Sequence, residues 1–174
     1  MTRLITDAND RQQAYSLKRQ QNCNYYASGG GIGTFVYVVN ANNVPIINTA
    51  VIIISKANLD KGFSPSPVAT NYVRFLAQGD SCLPGMILGT RLGGKGNDLM
   101  NIFPISSSMK TMYDAFESKI YDCLANDNAA SVTLRWTFYY VLTTDTKPYK
   151  VLYHASFHEG KGPCFTSISQ SIVN

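Results

Sequence analysis

Charge is scarce in this chain. Of its 174 residues only 15% are Asp, Glu, Lys or Arg, against roughly 25% in ordinary globular domains. Hydrophobic residues stand near average at 45%, so Asn, Ser, Thr, Gly and Tyr fill the deficit. Such a surface repels a second copy only weakly, because net charge is what keeps proteins apart in solution. The net charge of +4 permits an anionic partner. It falls short of the clustered basic footprint of a dedicated nucleic-acid binder.

Long apolar runs are missing too. No stretch reaches the ~18 apolar residues of a membrane-spanning helix, and no membrane partner is expected. Met1 to Gln13 is polar, without the apolar centre of a signal peptide. The chain is therefore expected to work where it is made, or to be secreted if this numbering begins at a mature terminus. The four cysteines, Cys23, Cys82, Cys123 and Cys164, form no CxxC pair, which argues against a zinc ribbon or a thioredoxin-like site. Two long-range disulfides and four free thiols both remain open, with the even count favouring disulfides.

What is present reads as one α+β domain with a mainly antiparallel sheet and one principal helix. Residues 1–33 form an N-terminal helix or arm (helix formers over 7–22) followed by a flexible, glycine-rich lead-in. Residues 34–174 form the domain. Gly29-Gly30-Gly31-Ile32-Gly33-Thr34 is no phosphate loop, because it lacks the Gly-Lys-Ser/Thr ending and precedes a strand instead of following one. Thr34–Asn40 and Val44–Lys56 read as a hairpin, with Val51 to Ile54 buried on both faces. Asp60 to Pro67 is a loop, and Asn71–Ala77 returns as a strand.

Further on, Met109, Met112, Tyr113, Phe116, Ile120, Cys123 and Leu124 recur at spacings of three and four. They predict a helix over 109–125, capped by Ser107 or Ser108 and ended by Asn126. Ser131–Thr143 alternates, with Val132, Leu134, Trp136, Phe138, Tyr140 and Leu142 facing one way, and pairs with Tyr149–Ser156. The tail from Gly160 onward is either tied down or frayed.

Between strand and helix lies Pro84-Gly85-Met86-Ile87-Leu88-Gly89-Thr90-Arg91-Leu92-Gly93-Gly94-Lys95-Gly96-Asn97-Asp98-Leu99-Met100-Asn101-Ile102-Phe103-Pro104. This stretch resembles the non-specific DNA/RNA endonucleases of the His-Me finger (ββα-metal) class. There a strand ends in Gly-His, a Gly-Gly loop crosses over, an Asn-x-x-Pro-Gln segment follows, and a helix begins near a metal-binding Asn. Gly85 to Gly89, Leu92-Gly93-Gly94 and Asn101-Ile102-Phe103-Pro104 match in order, and Glu117 falls where the family places an acidic residue. The resemblance covers roughly residues 72–157 and implies a His-Me finger nuclease-like fold.

The chemistry that the resemblance implies needs a histidine as general base and an Asn holding one divalent cation. Met86 stands at the position of the base, and a thioether accepts no proton at any useful pH. Lys110, nine residues after Asn101, stands at the metal-binding Asn; an ammonium has no lone pair and repels a cation. Ile105 replaces the Gln. Asn101 and Glu117 remain, too few oxygens for a hard-metal site. The expectation is a catalytically inactive nuclease-fold protein, a pseudoenzyme with no cofactor, reused for binding or as a self-assembling structural protein. Its expected partner is itself, with nucleic acid or another protein as open alternatives.

Two other readings stand beside this one. An active metal-dependent endonuclease with a relocated base, such as His154, would need a divalent metal such as magnesium. A non-cleaving nucleic-acid binder would use Arg91, Lys95 and Lys110 on phosphates. His154 and His158, the only histidines, otherwise read as surface or hydrogen-bonded residues. No nucleophile motif surrounds Cys82 or Cys164, so a Cys–His pair draws no support.

Overall fold

The computed structural model describes residues 20–77 and 79–173. Its framework is a six-stranded antiparallel sheet in the order β1-β2-β3-β6-β7-β8. The strands are β1 (Gln21–Tyr26), β2 (Ile32–Val39), β3 (Pro45–Ser55), β6 (Ser131–Tyr139), β7 (Lys150–His158) and β8 (Ile168–Val173). A second, two-stranded antiparallel sheet pairs β4 (Leu83–Met86) with β5 (Ile102–Ile105). Two helices, α1 (Pro67–Ala77) and α2 (Ser107–Ala125), complete the described elements longer than a turn. The protein is thus a mixed α+β structure with a mainly antiparallel sheet, as its alternating strands imply.

One face of the large sheet forms the core. Phe35, Ala50, Ile52, Leu134, Trp136, Phe138, Val151 and Tyr153 are buried there against Phe103, Ile105, Met109, Tyr113 and Phe116. Tyr153 is the aromatic centre, its ring 4.7 Å from Phe116 and 4.7 Å from Trp136, with Tyr113 at 5.1 Å. These separations are those of favourable offset or edge contacts. The single tryptophan is therefore a core residue. Opposite residues in an antiparallel pair share a face, so one register row carries Phe35, Ala50, Trp136 and Tyr153 inward together.

Helix α2 forms for the reasons its sequence gives. Met109, Tyr113, Phe116, Ile120, Cys123 and Leu124 lie on its buried side, and Asn126 caps its end. Its start differs from expectation. Ser106, and neither Ser107 nor Ser108, accepts the Met109 N–H, at 3.2 Å, and those two serines are the first helical residues.

Several expectations need correction. Asn71–Ala77 is helical; Ala69, Val73, Leu76 and Ala77 are its buried residues, a helical spacing that the residue types Tyr72 to Phe75 disguised. Pro67 opens that helix and the Ser66 hydroxyl accepts from the Ala69 N–H, start signals that a loop also presents. The described residues accordingly hold a second, shorter helix beside the principal one. Ile53 is 53% exposed between Ile52 and Ile54 at 0% and 1%, so the apolar run of β3 is covered on the core face alone.

The boundary at residue 33 also moves. Gln21–Tyr26 is a strand of the main sheet, paired from Gln21↔Tyr37 to Tyr26↔Ile32. The glycine-rich segment is its tight connection to β2, closed by Ala27 N–H to Gly31 carbonyl at 2.8 Å, and no flexible lead-in. The expected helix over 7–22 otherwise falls on residues 7–19, outside the described residues. Strand β6 ends at Tyr139, and Leu142 is exposed in the following turn, where its N–H donates to Asp145.

Of the two cysteine alternatives, neither holds in full. Cys123 on α2 is bonded to Cys164, while Cys23 and Cys82 are free thiols. The bond ties down the tail, which returns as strand β8 on β7. It joins positions 41 residues apart, so breaking it releases a large loop in the unfolded chain. Cys164→Ser should lower stability by about 2–4 kcal/mol, measured by urea unfolding of oxidised protein. An unchanged midpoint would show that the tail is held without the bond.

Candidate functional site

The connection from β4 to β5 is built around one side chain. Asn101 is fully buried; its amide nitrogen donates to the Leu88 carbonyl at 2.9 Å and its oxygen accepts the Leu88 N–H at 2.9 Å. The Asn101 backbone carbonyl takes the Ile87 N–H at 2.8 Å. Thus the start and end of the loop are stapled together. A Cβ on Gly94 would lie 1.7 Å from the Leu88 carbonyl oxygen, so only glycine lets the crossing strand of the loop pass. Asp98 caps the short 3-10 turn that delivers Asn101, accepting from the Met100 N–H at 3.0 Å.

Helix α2 grips the other side of this loop. The Tyr113 hydroxyl donates to the Ile87 carbonyl at 2.7 Å, and the Gly89 N–H donates to Glu117 Oε1 at 2.9 Å. Tyr153 also donates to that oxygen, at 3.3 Å. A Cβ at position 89 would sit 1.8 Å from Glu117 Oε2, so the close approach requires glycine.

Between β4, the loop and α2 lies a cleft of ≈ 520 Å³. The structure brings Met86, Ile105, Lys110, Glu117 and Arg91 together along its lining. Lys95 and Asn101 are not among the lining residues. The Asn101 amide has its oxygen and nitrogen committed to the backbone, and the Lys95 N–H is held by the Tyr25 hydroxyl at 2.9 Å. Of the three candidate cations, Arg91 and Lys110 thus line the cleft and Lys95 does not.

The cleft chemistry is mixed. Met86 is 9% exposed, and the Thr90 hydroxyl lies 3.4 Å from its sulfur. Ile105 is 1% exposed and packs on Gly85, giving an apolar wall. Lys110 pairs with Asp114 at 2.5 Å, with the two side chains 43% and 57% exposed; such solvated pairs contribute little to stability. The Arg91 guanidinium stands 3.7 Å over the Tyr121 ring, and Tyr121 donates to Asp60 at 2.6 Å. Among the described residues no three His, Cys, Asp or Glu side chains converge to hold a metal ion.

Both histidines are elsewhere. Tyr153 and Ala155 of β7 face the core, so His154 between them faces the other side of the sheet. Its ring nitrogens meet Ser169 at 2.5 Å and Ser156 at 2.8 Å, and His158 meets Thr133 at 2.7 Å. A base relocated to His154 is accordingly displaced from this cleft by the thickness of the sheet. Sequence reasoning missed three participants. Asp114 carried a signal in its i,i+4 spacing from Lys110. Tyr113 and Tyr153 were legible only as core positions.

Burial pushes the Glu117 carboxyl up from 4.5 to about 8; the hydrogen bonds from Gly89 and Tyr153 oppose this without cancelling it. Between those values the unfolded chain has released a proton that the folded protein still holds. Stability from this group therefore falls as pH rises from about 4.5 to about 8 and levels off above. Glu117→Gln should flatten that part of the profile in urea unfolding followed across pH. An unchanged slope in the variant would assign the dependence to another group.

No protein-family model matches the sequence, and no curated protein matches it either. Solved structures do resemble it. One is the crystal structure of NucA from Streptococcus agalactiae with a magnesium ion bound, at 13% identity and a TM-score of 0.55, covering 97% of this chain and 88% of that one. At that identity the likeness concerns the fold: the chain has a nuclease-like fold.

Proposed function

We propose that this protein is a catalytically inactive member of the nuclease-like fold, a pseudonuclease reused for binding and self-association. The observation that carries the reading is the lining of the cleft, where Met86 and Lys110 stand beside Glu117. In-line attack of water on a phosphodiester needs a proton acceptor near the phosphorus. A thioether offers none, the histidines lie on the far face of the sheet, and of the two cleft carboxyls Asp114 is paired with Lys110 while Glu117 is buried and held by the Gly89 N–H and the Tyr153 hydroxyl.

The magnesium in the NucA structure raises the question of a metal here. A hard divalent cation takes several oxygen ligands. Of the cleft carboxyls, Asp114 faces Lys110, and Glu117 is turned onto the Gly89 N–H and the Tyr153 hydroxyl. The Asn101 amide is engaged with Leu88. These residues do not fit the ion, and no metal-dependent step is derived for them. Retention of Asn101, Gly89, Gly94 and Glu117 is accounted for by the backbone contacts they make.

Self-association draws on the low charge density and on exposed apolar side chains such as Tyr26, Ile32 and Ile53, which are register neighbours on adjacent strands. A second reading, nucleic-acid binding without cleavage, draws on Arg91 and Lys110 in one cleft. Each already has an internal partner, in Tyr121 and Asp114, and that places it second.

The test is incubation with plasmid DNA and with RNA, with and without Mg²⁺ or Mn²⁺, read on a gel, alongside light scattering. Intact nucleic acid and a particle larger than the 19.2 kDa chain are expected. Metal-stimulated cutting that vanishes in chelator would overturn the pseudonuclease assignment. A particle of monomer mass at all concentrations would overturn self-association. Binding that weakens steeply with salt would move the second reading to first.

A further inference from the structure

We infer that strand β8 is the surface through which two copies of this chain associate, by antiparallel pairing about a two-fold axis at Gln170. The inference rests on the self-association reading above and gives it a location. Among the described residues β8 is one edge of the six-stranded sheet and pairs only with β7, in an unbroken register from Lys150↔Val173 to Ala155↔Ile168. Its outer edge leaves a row of peptide groups able to accept another strand. Natural edges are blunted by charged residues, proline or bulges; Ile168–Val173 contains none of these.

The sequence of the strand names its partner. Ile168-Ser169-Gln170-Ser171-Ile172 reads the same in both directions. An antiparallel copy centred on Gln170 therefore sets Ile168 opposite Ile172 of the second copy, Ser169 opposite Ser171, and Gln170 opposite Gln170. Opposite residues share a face, so this register keeps both isoleucines with the core and both serines with solvent. A shift by one residue would set isoleucine against serine. The two carboxamides on the axis can each donate to and accept from the other, which is the self-complementarity that a two-fold interface demands.

β1, the opposite edge, lacks this property. Centred on Cys23, it would set Gln21 against Tyr25 of the second copy.

Two features support the edge as an interface. The Cys123–Cys164 bond anchors the segment entering β8 to helix α2, so the edge is ordered before association and loses less freedom on pairing. Beside it runs a groove of ≈ 310 Å³ whose lining includes Phe157, Pro163 and Ile168. Phe165, close by in the chain, is 76% exposed. They supply apolar surface that strand pairing alone would lack.

The axis makes a charge-swap experiment decisive. Gln170→Lys places two ammonium groups across the axis, and Gln170→Glu places two carboxylates there. Each variant alone should associate more weakly by about tenfold or more and run as a monomer by light scattering where the unmodified protein is a dimer. An equimolar mixture of the two should recover the dimer, which an unfolded variant could not do. Variants that stay dimeric, or a mixture that stays monomeric, would overturn β8 pairing while leaving self-association in place, with another face or another strand as its site. A monomeric unmodified protein would remove the parent reading and this inference together.

Discussion

The paired hydrogen bonds between the Asn101 carboxamide and the Leu88 backbone are the constraint on which the cleft depends. They are buried, and one side chain satisfies both a donor and an acceptor of the main chain. Losing the carboxamide would leave the Leu88 N–H and carbonyl without these partners, at about 1–3 kcal/mol each. With Leu88 fixed, its neighbours Ile87 and Gly89 present a carbonyl and an N–H to Tyr113 and Glu117. Helix α2 is thereby registered on the loop by polar contacts of defined direction, in addition to its apolar stripe. Apolar packing alone would tolerate a small slide along the helix axis; these hydrogen bonds do not.

That arrangement separates the residues that build the nuclease-like scaffold from those that line its cleft. Asn101, Gly89, Gly94 and Glu117 act on backbone groups, so folding itself calls for them. Met86, Ile105 and Lys110 present side-chain ends to the cleft, where exchange alters chemistry without disturbing the clamp. Met86 even suits its largely buried place, since a thioether is adaptable and tolerates an apolar wall. The neutral form of Glu117 favoured by burial fits the same picture. Its carboxyl works as a structural group held between an N–H and a hydroxyl.

Much of this was legible in the chain itself. The α2 stripe, the alternation of β6 and the ordered Gly-Gly and Asn-x-x-Pro segments gave the fold class and the cleft-lining residues Met86, Ile105, Lys110 and Glu117. The failures have physical causes. α1 was misread because Tyr72 to Phe75 favour strands locally, while its Pro67 and Ser66 start signals also suit a loop. β1 was missed because Gln21, Asn22 and Asn24 are polar residues whose strand conformation is imposed by pairing with β2. Of Lys95 and Arg91, near in sequence, only Arg91 lines the cleft. No single-sequence pattern reports that Asn101 points inward to the main chain; that depends on where Leu88 arrives in space.

The disulfide has a topological effect distinct from its energy. Residues 123 to 164 form a covalent ring that encloses β6 and β7 and the exposed turn at Val141 to Thr144. Exposed turns are where proteases nick folded domains. A single cut there would not divide the molecule, since both fragments remain joined through sulfur. The nicked protein would keep the mass of the intact chain plus one water until a reductant separated the pieces.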